Sequence, residues 1–91
     1  MNVRIRVIFR GGVQGVFFRD YTRRMAIQHS VTGWVRNLDD GTVEAVFEGE
    51  ETAIRRVVDW LTNEHPYATV TGKTEELRPY TGEFTGFEIR Q

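Results

Sequence analysis

The chemistry-bearing stretch of this chain is Gly11-Gly12-Val13-Gln14-Gly15-Val16-Phe17-Phe18-Arg19. A glycine-bearing loop that runs into a helix N-terminus forms a concavity of backbone N–H groups. Those donors and the helix dipole together favour an anion such as phosphate. Arg19 closes the loop at the helix start, where its planar guanidinium can grip phosphate oxygens. The Gly-Lys-Ser/Thr ending of a nucleotide-triphosphate loop is missing, which argues against a nucleotide triphosphatase. Taken alone, the loop reads rather more as plain turn chemistry than as a phosphate site.

Topology supplies a second residue. In a strand–helix–strand crossover the two strands run parallel, so their C-terminal ends share one edge of the sheet. The first strand ends at the glycine loop and the second near Arg36-Asn37-Leu38. Alternation puts Val35 and Asn37 on one face, and Trp34 and Arg36 on the other. If Val35 faces the helices, Asn37 emerges beside the loop, where its carboxamide can hold a water. Its other role is that of a turn residue before Asp39-Asp40-Gly41; spacing alone leaves the two even.

The elements that must position these residues are legible from periodicity. Val3, Ile5, Val7 and Phe9 alternate with Arg4, Arg6, Ile8 and Arg10, the pattern of a one-sided strand that Gly11, Gly12 and Gly15 then break. Arg19 to about Ser30 reads as a helix with Phe18, Thr22, Met25, Ala26 and His29 on one stripe. Thr32 to Leu38 is a strand, Asp39-Asp40-Gly41 a hairpin turn, and Thr42 to Glu48 a third strand. Glu50 and Glu51 place charge where a helix dipole favours it. Ile54, Val57, Val58 and Leu61 then make the buried stripe of a helix that Pro66 ends at the latest. Val70 to Leu77 is a fourth strand and Phe84 to Ile89 a short fifth. This order predicts an α+β, ferredoxin-like two-layer sandwich: a βαββαβ chain with a mostly antiparallel sheet, a short extra C-terminal strand, and two helices on one face.

Bulk properties narrow the function. The chain has 91 residues, 40% hydrophobic and 27% charged, as in an ordinary one-domain globular protein. It has no cysteine, which removes disulfides, thiolate nucleophiles and cysteine zinc sites. No apolar run reaches the ~20 residues that span a bilayer, and Met1 to Arg10 lacks the apolar core of a signal peptide. A cytoplasmic protein without a membrane partner is the expectation. Residues 1–37 carry seven arginines against Asp20 alone, and residues 38–91 carry five basic groups against twelve acids. The arginine-rich first third suggests anion binding there. The overall charge of −1 and the acidic third strand, without displayed aromatics, argue against a nucleic-acid partner. His29 and His65 have no ligand spacing, so no metal site is expected. Asp39-Asp40 reads as a turn. Glu48, Glu50 and Glu51 read as a solvated strand end and helix start. Trp34 and Trp60 read as packing residues.

Val13-Gln14-Gly15-Val16-Phe17-Phe18-Arg19, one helix before Gly33-Trp34-Val35-Arg36-Asn37, resembles the paired signature of the acylphosphatase family. Asp40-Gly41-Thr42-Val43-Glu44, Trp60-Leu61, Thr81-Gly82-Glu83-Phe84 and Phe87-Glu88-Ile89-Arg90 are similar to family sequences as well. The resemblance covers essentially the whole chain as a single acylphosphatase-like domain over residues 1–91. It implies a hydrolase that cleaves the carboxyl–phosphate bond of small acyl phosphates to carboxylate and inorganic phosphate. Phosphate would be held by the 12–19 loop, with the backbone amides of Val13, Gln14, Gly15, Val16, Phe17 and Phe18 as the cradle. Arg19 would bind the phosphoryl group and Asn37 would orient the attacking water. No cofactor, metal or covalent phosphoenzyme is implied. Gly12 departs from the basic or polar residue usual in the family, which implies a looser free loop. Phe17 stands where many relatives have glycine. A monomer is expected, since no apolar stripe stands out. The rival readings are an RNA-binding module on the same strand–helix order and a regulatory unit without catalysis. Arg19 and Asn37 together favour the enzyme.

Overall fold

The computed structural model describes residues 1–91. The strands are β1 (Asn2–Gly12), β2 (Thr32–Asn37), β3 (Val43–Glu50), β4 (Thr69–Arg78) and β5 (Phe87–Arg90); the helices are α1 (Phe18–Gln28) and α2 (Glu51–Asn63). The sheet order is β4-β1-β3-β2-β5. All pairs are antiparallel except β2 with β5, which is parallel. This is the ferredoxin-like α+β sandwich, with β5 added beside β2.

Alternation sends one side of each strand under the helices. Val3, Ile5, Val7 and Phe9 of β1, Val35 of β2, and Val43, Ala45 and Phe47 of β3 are buried there. Ile54, Val57, Val58 and Leu61 of α2 close on them with Phe18, Met25 and Ala26 of α1. His29, expected on that stripe, follows the end of α1 and is only half-buried. Removing a buried side chain of this kind costs about 2–5 kcal/mol.

Several boundaries differ from the periodicity reading. β1 continues through Gly11 and Gly12, which pair with Val70 and Thr69 across a register shift after Arg10. Gly11 sits at φ +123°, and a Cβ there would overlap the Thr69 carbonyl; the glycines extend the strand through a bulge. Gly12 therefore belongs to the strand and not to a loosened loop. β5 begins only at Phe87, whereas α2 stops at Asn63, within the limit that Pro66 sets.

The other face of the sheet carries ion pairs. Glu44 accepts from Arg6 Nε at 2.6 Å and from Arg36 Nε at 2.7 Å. Burial by itself raises the Glu44 carboxyl, but these two bonds outweigh it and hold it below the ordinary carboxylate range. Glu48 is not the solvated strand end expected: it is wholly buried. Residues 79–86, which join β4 to β5 across this face, lie over it. Its carboxylate accepts Thr81 N–H at 2.9 Å, Thr81 Oγ1–H at 2.8 Å and Gly82 N–H at 3.0 Å, with Arg4 at 3.6 Å.

Candidate functional site

The site opens where β1 and β2 end side by side. Both strands are antiparallel to β3, and Phe9 and Asn37 flank Val43 in register. The crossover geometry thus brings the 13–19 loop to Asn37, the outcome alternation gives when Val35 faces the helices, as it does. A cavity of about 330 Å³ lies between them, walled by Gly15, Phe17, Arg19, Asp20, Asn37 and Ile89 among others. Val13 and Phe18 also line it and are themselves buried.

The loop is fixed from three sides. Val13 is buried, Val16 packs against the core, and the Gln14 carboxamide donates to the Leu38 and Thr42 carbonyls at 2.8 and 2.9 Å. Gln14 therefore ties the loop to the β2–β3 hairpin that carries Asn37, a role its position in the sequence does not reveal. The hairpin is braced in turn by Asp40, whose Oδ1 accepts the Thr42 hydroxyl at 2.6 Å and the Thr42 N–H at 3.0 Å. Those bonds, the hydroxyl's first, hold its carboxyl below the usual range.

Two loop residues take left-handed backbone: Gly15 at φ +75° and Phe17 at φ +61°. For glycine this costs little; for Phe17 it stores roughly 1–2 kcal/mol. The result is a run of unspent donors. The Val13 N–H donates to the Gly11 carbonyl at 3.0 Å, so it is engaged within the loop. The N–H groups of Gln14, Gly15, Val16, Phe17 and Phe18 have no partner in the chain, and no side chain caps α1 at Phe17. Five free amides running into an uncapped helix N-terminus form a concave nest, an arrangement that can take an anion.

Arg19 and Asn37 are half-buried, line the cavity, and make no side-chain hydrogen bond or ion pair. Most other arginines of the chain have one: Arg4, Arg6, Arg36, Arg55, Arg78 and Arg90 all face carboxylates. A half-buried guanidinium without an ion-pair partner has its donors available to an anion.

Behind the loop lies His65, which sequence spacing left unassigned. It is 8% exposed and its ring stacks on Phe18 at 5.4 Å. Nδ1 accepts the Tyr67 and Ala68 N–H groups, both at 3.0 Å. That places the proton of the neutral ring on Nε2, which is buried without a full hydrogen bond. Burial lowers the imidazole pKa, and the Phe17 carbonyl opposes this without reversing it. His65 thus joins the loop after α2 to the base of the 13–19 loop.

Comparison with known proteins is consistent along the chain. The family model described as Acylphosphatase matches residues 5–89. The acylphosphatase of Rubrobacter xylanophilus is 53% identical over 96% of this chain and 79% of its own length. That of Aeropyrum pernix is 52% identical over 97% of this chain and 88% of its own. The crystal structure of acylphosphatase from Bacillus subtilis superposes with a TM-score of 0.92 at 34% identity, covering 98% of this chain and 99% of that one.

Proposed function

The chain belongs to the acylphosphatase family, and on that premise we propose that the 13–19 loop, Arg19 and Asn37 are its catalytic centre. The observation that carries the assignment is the pairing of five unbonded amides with two unpartnered polar side chains around one cavity. The phosphoryl group of a small acyl phosphate sits on the amides of Gln14 to Phe18. The Val13 amide is left to its bond with Gly11. Arg19 binds the equatorial oxygens, over which the transition state spreads its charge. Asn37 holds the water in line with the bond to be broken. Water attacks phosphorus and the phosphorus–acyl oxygen bond breaks. The carboxylate leaves with the bonding pair, and the water's proton passes to a phosphoryl oxygen. A carboxylate leaves without help from a general acid, so two side chains suffice and no cofactor is required.

We extend the proposal to a single catalytic unit over residues 1–91, monomeric and cytoplasmic. No helix of the chain is long and apolar enough to cross a membrane. The monomer is supported by the sheet face away from the helices, where charged pairs and the 79–86 strap stand in place of an apolar surface; light scattering checks it. The catalytic reading is tested with benzoyl phosphate, followed by absorbance in chelator-treated protein. Arg19→Ala loses phosphate binding and most activity. Asn37→Ala folds and binds phosphate but turns over roughly 10²–10³-fold more slowly, the usual cost of losing one transition-state contact. Wild-type rates in either variant overturn the assignment.

A further inference from the structure

We propose that Phe17 and Tyr67 form an aromatic platform for the acyl group, so that this site favours aryl and bulky apolar acyl phosphates over small ones. The inference rests on the catalytic reading above and names the substrate class of that site.

Phe17 lines the cavity with Arg19 and Asn37, yet the residue is 65% exposed. Tyr67 is 62% exposed and meets the Phe17 ring edge-to-face at 6.5 Å. Folding gains little from either ring. Phe17 also occupies left-handed backbone that glycine adopts without strain. Strained residues with unspent apolar surface mark functional positions. The pair is held firmly from behind: Tyr67 packs on Tyr21 at 6.3 Å, and its N–H is taken by buried His65. Two rings already packed edge-to-face offer a face and an edge to a third aromatic group.

A phosphoryl group seated in the amide nest must send its acyl substituent out through the cavity mouth. One rim is Phe17. The other leads by way of Asp20 and Ile89 into a second groove, walled by Arg23, Arg24 and Ile27. An anionic acyl group would be the natural occupant there, but Asp20 stands at the junction of the two and repels it. Arg23 is engaged with the Phe87 carbonyl at 3.1 Å, and Arg24 lies over the Tyr21 ring at 4.8 Å. The aromatic rim is the better exit.

The test compares kcat/KM for benzoyl, acetyl and succinyl phosphate in wild type, Tyr67→Ala and Phe17→Gly. Ratios between substrates cancel any general effect on the phosphate nest, and glycine suits the backbone at position 17. Each variant lowers the benzoyl-to-acetyl ratio by about ten-fold, chiefly through the KM for benzoyl phosphate, a contact loss of ordinary size for an apolar subsite. A ratio within two-fold of wild type in both variants overturns the platform. So does a succinyl preference that Arg24→Ala removes. Calorimetric binding of benzoylphosphonate and acetylphosphonate reads the same subsite without turnover. A wild type that hydrolyses nothing but binds benzoylphosphonate more tightly, in a Tyr67-dependent way, overturns the catalytic reading and upholds the platform. Equal binding of the two phosphonates overturns the platform.

Discussion

Replacing Glu48 with glutamine tests how the strap over the sheet is held. The wholly buried carboxylate serves three donors from Thr81 and Gly82 and stands 3.6 Å from Arg4. Glutamine fills the same space with one acceptor oxygen. If that oxygen faces Thr81, the new amide N–H₂ faces the Gly82 N–H, and one bond becomes a donor–donor conflict. A hydrogen bond to a buried charge contributes about 1.5–3 kcal/mol, and the two surviving bonds weaken by roughly half when the charge goes. Arg4 keeps Glu83 as a partner, so no bare buried cation adds to the loss. The sum is about 3–6 kcal/mol of a total on the order of 5–10 kcal/mol. For a domain this small, that lowers the Tm by roughly 15–45 °C. Urea unfolding at pH 7 measures the loss. Hydrogen exchange locates it, with Thr81, Gly82 and the β5 amides losing protection first. A loss under about 1 kcal/mol, with those amides still protected, refutes the view that Glu48 clasps the strap.

Three further outcomes follow from the same geometry. His65 has a folded-state pKa below its unfolded value, so its contribution to stability is complete above pH ~6.5 and declines as pH falls from there towards the folded pKa. His65→Asn, which can keep an acceptor for Tyr67 and Ala68, flattens that slope in denaturation curves between pH 7.5 and 5.5; an unchanged slope assigns it elsewhere. Gly33→Ala unfolds the protein or costs more than about 3 kcal/mol, because a Cβ at φ +138° overlaps the Val46 carbonyl; thermal melts decide. Gly15→Ala meets no atom, so only the left-handed backbone is penalised, by about 1–2 kcal/mol of folding stability; urea unfolding that shows no loss refutes the strain at position 15.

Local pattern carried much of this architecture. The Val35/Asn37 alternation and the Phe18, Thr22, Met25, Ala26 stripe each settle which way a side chain faces, and the sheet order then brings Asn37 to the loop. What escaped is non-local. Nothing near Glu48 in sequence announces that residues 79–86 will cover it. Gln14 and His65 act through partners distant in sequence, the Leu38 carbonyl and the ring of Phe18. Gly11 and Gly12 read as strand breakers because a bulge needs the same residue type as a turn. Their pairing with β4 decides the matter.

The sheet order has a consequence for how the molecule is made. The loop, Arg19 and Asn37 are all synthesised before β3 and β4. β1, which carries the loop, lies between β3 and β4, and its Arg4 pairs with Arg78. Pairings this distant close slowly. A ribosome must therefore release the chain through β4 before the early-made centre has both of its neighbouring strands. Until then the β1 edge that β4 will pair stands open, a window in which chaperones can reach it.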